Sequence, residues 1–353
     1  MKMKKSHLTA LSCIIGLFIL IVDTKTAVEG ATSGIDLCLR TVIPSLFPFI
    51  FLTTILLPTI DRIRLLQPVG RLCGVPTGLE SILLIGFLGG YPIGAQVITA
   101  SWKKKRIATI DARRMLGFCS NAGPSFLFGM GTTLFNSTGY IWMIWFVHIL
   151  SAIFVGMLLP NKRNSSGSVQ TQEPVTSIAA LKISIQAMSK ICGWVILFKV
   201  LLTFLNSWIL CLCPDIIRAL ATGFIELSNG ILICREIGSI GLRMIIIATI
   251  IGFGGICVLL QTQSVADNLG IGYYFPGKDL QSLISFLLAY ILQLIVLPSQ
   301  QKTILPISYI IGACLSITLV IFYLYRKKIV AITAEMRYNT RNKSKEKKIH
   351  VIS

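Results

Sequence analysis

Small, polar and helix-breaking residues interrupt four apolar stretches of this sequence. In the first half they lie in GGYPIG (89–94) and SNAGPS (120–125), and in the second half in ELSN (226–229) and GFGG (252–255). Backbone that leaves a helix at membrane depth exposes N–H groups, which can hold an anion or a polar ligand. The competing interpretation is packing kinks and interhelical hydrogen bonds. We predict a substrate-binding site formed by Gly89, Gly90, Tyr91, Pro92, Gly94, Ser120, Asn121, Gly123, Pro124, Ser125, Glu226, Ser228, Asn229, Gly254, Gly255 and Gln261.

Two ionisable residues lie inside apolar segments. A carboxylate such as Glu226 costs about 2.5 to 3.5 kcal/mol at membrane depth on insertion scales, so it is a functional candidate. Lys199 lies in the middle of GWVILFKVLLTFL. Three interpretations of Lys199 stay open: it pairs with Glu226, it meets an anionic substrate, or it extends its amine to the membrane surface. Asn121 and Ser125 are four residues apart and would face the same way if the helix resumes there.

The apolar segments offer no catalytic arrangement. They contain no paired carboxylates, no HExxH motif and no Ser–His arrangement, so we expect that the protein is not an enzyme. Its ten cysteines are scattered, mostly within apolar runs, and are expected to be small buried hydrophobes. Cys211 and Cys213 give the nearest approach to a metal-binding spacing, with Cys192 a helix length away. We predict neither a metal site nor a cofactor.

The composition is that of a multi-pass membrane protein. Of the 353 residues, 54% are hydrophobic and 13% are charged, and the mean hydropathy is +0.77. A formal net charge of +19 could indicate nucleic-acid binding, but the basic residues gather at the ends of apolar segments, as in KMKK, KKKR and RKK. This distribution follows the positive-inside rule, so the expected partner is the lipid bilayer and not nucleic acid.

Eight apolar segments are long enough to cross a membrane: 8–22, 43–57, 115–135, 140–160, 191–212, 243–262, 282–298 and 304–325. The loop between the first two carries Glu29 and Asp36. Two more apolar stretches, 81–100 and 216–234, are interrupted in the middle. If 81–100 crossed, the KKKR cluster would lie outside, against the charge rule. We therefore predict that each interrupted stretch is a re-entrant or broken-helix hairpin.

The same order of elements occurs on both sides of a polar segment, NKRNSSGSVQTQEPVT. Each unit has an amphipathic stretch, a span, a hairpin, a glycine-containing span and a span. Each unit would cross the membrane three times, which is an odd number, so the second unit would have the opposite orientation. Inverted repeats with facing broken elements are typical of secondary transporters. The predicted parts are an N-terminal transmembrane helix and loop (1–34), a first repeat (35–160), a polar linker (161–177), an inverted second repeat (178–300), a C-terminal transmembrane helix (301–328) and a basic tail (329–353).

Four motifs together resemble one known family. They are IPSLFPFIF (43–51), GGYPIGAQ (89–96), FCSNAGPSFLFG (118–129) and GFGGICVLLQ (252–261). The chain resembles, over most of residues 35–300, the sporulation integral membrane protein family of endospore-forming Firmicutes, the YlbJ or SpoVV type. The resemblance implies that the two repeats are Gate domains, also called nucleoside-recognition domains. It also implies a location in the bacterial cell membrane, specifically the outer forespore membrane.

The resemblance implies transport of dipicolinic acid, an organic anion, across that membrane during sporulation. Broken helices and Lys199 suit an anion, whereas Glu226 would have to be protonated or paired, or could carry a coupling proton. One alternative is a nucleoside or nucleobase transporter, in which Asn121, Gln261, Gln263 and Glu226 would supply hydrogen bonds. The other is a non-transporting membrane scaffold for sporulation proteins. Homo-oligomerisation stays open.

Overall fold

The computed structural model describes residues 5–60, 66–160 and 175–325, and these residues form helices and connecting segments without a β-strand. The predicted linker is therefore described only from residue 175, and the predicted basic tail lies outside the described residues. The helices of the first half are α1 Lys5–Val22, α2 Thr24–Leu37, α3 Ile43–Ile60, α4 Gln67–Leu72, α5 Ser81–Leu88, α6 Ile93–Lys103, α7 Thr109–Cys119, α8 Pro124–Gly131 and α9 Thr138–Leu158. Those of the second half are α10 Ser177–Trp208, α11 Asp215–Ile225, α12 Leu227–Ile233, α13 Ile240–Phe253, α14 Gly255–Ala266, α15 Tyr274–Val296 and α16 Ile307–Tyr325.

Six helices in the described part of the chain are long and apolar enough to cross a membrane. They expose large apolar side chains, such as Phe146, Leu197 and Ile295, as a lipid-facing surface requires. The chain is an integral multi-pass membrane protein in a bilayer environment, and the predicted all-α fold class is confirmed. The six helices are Thr24–Leu56, Thr138–Leu158, Ser177–Trp208, Ile240–Ala266, Tyr274–Val296 and Ile307–Tyr325.

The predicted loop between the first two spans is wrong. A five-residue π-helical segment, Cys38–Val42, joins α2 to α3, so that Thr24–Leu56 is one continuous helix. Asp23 starts this helix by accepting a hydrogen bond from the Thr26 N–H at 3.1 Å. Asp36 is paired with Arg40 one turn later, and Glu29 faces a polar cavity. Because Arg40 and the polar cavity surround the two acidic side chains, their charge is compatible with a continuous helix.

α2 packs closely against α10, and the two helices run in opposite directions. A Cβ added at Gly30 would lie 2.8 Å from the Val200 Cα, and one at Gly34 would lie 2.9 Å from the Ile196 Cα. Small residues of this kind allow two membrane helices to bring their backbones together. α10 also absorbs the predicted amphipathic stretch 178–190 and the span that follows it into one 32-residue helix.

α5 and α6 form a hairpin, as the interrupted stretch 81–100 predicts. The backbone at Gly86 and that at Gly94 both lie against the Cys119 carbonyl oxygen, and an added Cβ would be 2.0 or 2.1 Å from it. Residues eight apart in a straight helix would be about 12 Å apart. The chain must therefore reverse direction between the two glycines.

α11 and α12 form the second hairpin, which agrees with the interrupted stretch 216–234. Its two arms touch at Gly223 and Gly230, where a Cβ added at Gly230 would lie 2.2 Å from the Gly223 Cα. Glu226 occupies the turn between the arms. The hairpin is thus closed by glycine contacts that no other residue type could make.

The two glycine-containing spans are broken helices, as their small and helix-breaking residues predict. The predicted span 115–135 consists of α7, a non-helical segment and α8, which begins at Pro124 because proline suits the first position of a helix. The predicted span 243–262 consists of α13 and α14, which are separated at Gly254. Gly254 has a φ of 85°, in the left-handed region that glycine adopts without steric cost.

The second hairpin allows a direct test of this packing. We expect Gly230→Ala to lower the thermal midpoint in detergent, because the new methyl group overlaps the Gly223 backbone, and overpacking of this kind costs about 1–3 kcal/mol. Gly193→Ala is the control, since nothing lies within 4 Å of its added Cβ in the middle of α10. Equal midpoints for the two variants would contradict the closed hairpin.

Candidate functional site

The chain breaks meet in the middle of the molecule. A Cβ added at Gly123 would lie 2.9 Å from the Gly90 backbone nitrogen, so the first hairpin turn packs against the break between α7 and α8. A Cβ added at Gly254 would lie 2.8 Å from the Tyr91 hydroxyl oxygen, and Gly255 packs against the second hairpin turn. Both hairpins and both broken helices therefore surround one region, as the sequence predicts.

This region encloses a cavity of about 40 Å³, which we call the central cavity. Tyr91, Gly123, Glu226, Ser228 and Gln261 are the predicted site residues that line it. Its volume has room for water but not for an organic molecule. The remaining lining residues are Val42, Leu46, Ala122, Phe126, Ile191, Val195, Leu227 and Val258.

Glu226 acts as the N-cap of α12. Its carboxylate accepts hydrogen bonds from the Ser228 N–H at 3.1 Å and from the Asn229 N–H at 2.8 Å. The Asn229 side-chain amide donates a third hydrogen bond at 2.6 Å. From the sequence, we expect the N–H groups of this break to bind a ligand. In the structure the Glu226 carboxylate accepts the hydrogen bonds of two of them.

Lys199 reaches Glu226 only through Asn229. Its amine donates a hydrogen bond to the Asn229 side-chain oxygen, and Asn229 donates in turn to Glu226. Lys199 and Asn229 also line a wider polar cavity of about 520 Å³, which we call the vestibule. Exposed Glu29 and Asn206 belong to the same cavity, so it opens to the protein surface. Asn229 thus lies between the vestibule and the carboxylate that lines the central cavity.

A polar cluster at the first break contains residues that sequence reasoning missed. The Asn121 side-chain oxygen accepts hydrogen bonds from the Lys278 amine at 3.1 Å and from the Gln281 amide at 3.0 Å. Lys278 also donates to the Gln281 side-chain oxygen at 2.7 Å. His148 Nε2 accepts a hydrogen bond from the Ala122 N–H at 3.1 Å, which satisfies one backbone group of the break.

A periodic pattern could have identified Lys278. Lys278, Gln281, Ser282 and Ser285 follow the spacing i, i+3, i+4, i+7, which places them on one face of α15, and all four are buried. The predicted span 282–298 begins after Lys278, whereas α15 begins at Tyr274. The lysine is therefore on a membrane helix and not in the preceding loop.

The other predicted residues have different positions. Ser125 lines a separate groove with Arg40, and does not face the same way as Asn121, because Asn121 lies in the non-helical segment before α8. That expectation is wrong. Gly94 packs against Cys119 and Ser120. Gly89 ends α5, Pro92 precedes α6 and follows a cis peptide bond, and Pro124 begins α8.

The fold and the cavity define a polytopic helical membrane protein with a polar site between broken helices. The chain is similar to the sporulation integral membrane protein YlbJ of Bacillus subtilis (strain 168), with 22% identity over 312 residues that cover 73% of this chain and 76% of that protein. This distant similarity supports the family level of the resemblance carried by the motifs. No family model matches the chain, and no solved structure gives a significant match.

The capping role of Glu226 can be tested by stability. We expect Glu226→Ala to lower the free energy of unfolding by about 1–3 kcal/mol, because two buried N–H groups lose their acceptor. Glu236→Ala is the matched control, since its carboxylate forms an exposed ion pair with Arg218 that contributes little. A Glu226→Ala protein as stable as the control would argue against the cap.

Proposed function

We propose that the protein is a secondary transporter that carries a small organic anion across a membrane by alternating access. The observation that carries this proposal is that two hairpins and two broken helices, from both halves of the chain, surround one cavity whose mostly apolar wall carries Glu226, Ser228 and Gln261. Irregular backbone at membrane depth persists where it lines a cavity or is buried in protein. Breaks that meet at one place are typical of transporter substrate sites.

Helix directions support the predicted inverted repeat. The long helices that lead into the two repeats, Thr24–Leu56 and α10, pack in opposite directions. α9 and α15 are antiparallel as well. Tyr140, at the start of α9, donates a hydrogen bond to Gln301, which follows the end of α15. At the other end of the pair, Leu159 after α9 and Tyr273 before α15 both lie next to Gly117. Opposed directions are what an axis in the membrane plane would produce, so we interpret the two Gate-type units as an inverted pair.

The small central cavity and the vestibule fit one step of alternating access. The vestibule opens to the surface on one side of Asn229, and Glu226, which Asn229 contacts, lines the central cavity. A substrate would enter when the Lys199–Asn229–Glu226 contacts separate. The opposite opening would require the first hairpin to leave Gly123 and Gly254. We propose no enzymatic activity, because these elements bind and move a solute without altering it.

Dipicolinate is the anion we propose. The motif resemblance implies this cargo, and the similarity to a sporulation membrane protein supports a role in sporulation. The outer forespore membrane is the corresponding location. A nucleoside or nucleobase remains the second candidate, since the side-chain amides of Asn121 and Gln281 meet at the first break, that of Gln261 lines the cavity, and amides can pair with a base. A scaffold role would not require the cavity.

Uptake into proteoliposomes tests the transport function. We expect Gln261→Ala to reduce dipicolinate uptake by about tenfold, because one buried hydrogen bond to the substrate is worth about 1–1.5 kcal/mol. Gln261 lines the cavity, and among the described residues its side chain donates a hydrogen bond only to the Cys257 sulfur at 3.4 Å, so we expect its loss to leave the fold intact.

Gln263→Ala is the matched control on the same helix, where the side chain is exposed, and its uptake should equal that of the wild type. Uptake of uridine or adenine instead of dipicolinate would favour the second candidate. A wild-type protein that moves none of these solutes would contradict transport.

A further inference from the structure

Among the residues that the structure describes, Lys278 is a buried amine without an acidic partner. Its side chain is 1% exposed, and its hydrogen bonds go to the neutral oxygens of Asn121 and Gln281. None of the salt bridges among the described residues includes it. A buried ammonium that lacks a counter-charge is strongly unfavourable, so its place at the centre of a membrane protein requires an explanation.

Aromatic rings cover the remaining side of the amine. Lys278 Nζ lies 5.3 Å from the centre of the Tyr91 ring and 5.9 Å from that of Tyr274, both within the range of cation–π contacts. Such contacts offset only part of the cost of burial. The arrangement therefore surrounds the amine with neutral oxygens and ring faces, and no carboxylate among the described residues pairs with it.

Two hydroxyl groups in the same region have no partner among the described residues. The side-chain oxygens of Tyr91 and Ser120 are buried and form no hydrogen bond, whereas the Tyr274 hydroxyl lies beside that of Thr262. The Tyr91 ring lies over the Lys278 amine, and Ser120 precedes Asn121, whose side-chain oxygen accepts a hydrogen bond from that amine. Buried polar groups are normally satisfied, so unpartnered donors next to an amine without an acidic partner point to a missing acceptor, and an acceptor with negative charge would pair with both.

Tyr91 connects this amine with the central cavity. It lines the cavity and also contacts Lys278 through its ring, and it belongs to the turn of the first hairpin. Ala122, which lines the cavity too, is the neighbour of Asn121. A ligand that enters the cavity would reach Lys278 by displacing one aromatic ring.

We propose that Lys278 is the residue that binds a carboxylate group of the transported anion, with Asn121 and Gln281 positioning its amine and the Tyr91 hydroxyl donating to the same carboxylate. This assignment rests on the proposed transport function and names its substrate class as aromatic or aliphatic carboxylates. The ion pair replaces the Tyr91 ring over the amine, so anion binding and movement of the first hairpin are coupled.

Lys199 is the weaker candidate for this role. Its amine belongs to the vestibule and reaches Glu226 through Asn229, so a negative charge lies near it already. Lys278 has no such compensation among the described residues. The buried lysine missed by sequence reasoning therefore fits an anion better than the lysine that the sequence singled out.

Ligand-induced shifts of the thermal midpoint test the assignment in detergent. The probes are dipicolinate, picolinate and the neutral pyridine-2,6-dicarboxamide. We expect both carboxylates to stabilise the wild type and the diamide to have no effect. Lys278→Met should weaken the apparent affinity for dipicolinate at least about tenfold, because one partner of a buried charge pair is removed. Lys278→Arg should restore part of it.

Lys190→Met is the control for the loss of one lysine, since this residue is exposed on α10, and its shift should equal that of the wild type. If Lys278→Met does not fold, Lys278→Gln replaces it, because an amide still donates to Asn121. Equal shifts in the wild type and a folded neutral variant would overturn the assignment. So would a wild type stabilised by the diamide, or by no carboxylate.

Uptake in proteoliposomes separates this assignment from the transport function. Binding that depends on Lys278 without any uptake would overturn transport and leave the anion site standing. Uptake that is the same in the wild type and Lys278→Met would overturn the anion site and leave transport standing. We expect Lys278→Met to lose both dipicolinate binding and uptake, whereas the wild type and Lys190→Met keep both.

Discussion

A backbone N–H or carbonyl group at membrane depth must find its hydrogen-bond partner inside the protein. Chain breaks create such groups, and at two of the four breaks described above a side chain accepts their hydrogen bonds. His148 accepts from the Ala122 N–H at the first broken helix, and Glu226 accepts from Ser228 and Asn229 at the second hairpin. The breaks also pack on one another, through glycines that leave no room for a side chain. These hydrogen bonds and glycine contacts together form the walls of the central cavity.

The same constraint describes how the site could open. The contacts next to the cavity are also hydrogen bonds to the backbone groups at the breaks. Separating these contacts is favourable only if a ligand or water takes over the hydrogen bonds. A carboxylate can do this for Lys278 and its neighbouring hydroxyls. The hydrogen bonds from Lys199 to Asn229 and from Asn229 to Glu226 lie between the vestibule and the cavity. Because these groups face cavities, they can exchange hydrogen-bond partners without exposing a charge to lipid.

The sequence was sufficient to predict the breaks and the hairpins, because glycine, proline and small polar residues in apolar segments have a direct structural meaning. It did not reveal that Thr24–Leu56 is one helix, since the environment of Glu29 and Asp36 depends on contacts with distant parts of the chain. Lys278 was missed for a related reason. A lysine near the end of an apolar segment looks like an interfacial residue until the start of α15 is known.

Local spacing was also misleading where the backbone is not helical. Asn121 and Ser125 would share a face on a continuous helix, yet the non-helical segment before Pro124 places Asn121 in the buried cluster with Lys278 and Ser125 in the groove with Arg40. The functional interpretation therefore depends on which residues the breaks bring together, and less on their separation along the chain. Tyr91, Glu226 and Gln261 illustrate this, since they come from three distant elements and line one cavity.

The central claim is that the meeting point of the broken elements is the substrate site. Its most direct test is substrate protection of a single introduced cysteine, in a background without the ten native ones. Ser228→Cys lies in the central cavity and Asn206→Cys in the vestibule. We predict that dipicolinate slows modification of the first by a water-soluble thiol reagent and leaves the second unchanged. Protection at residue 206 alone, or at neither position, would contradict the account.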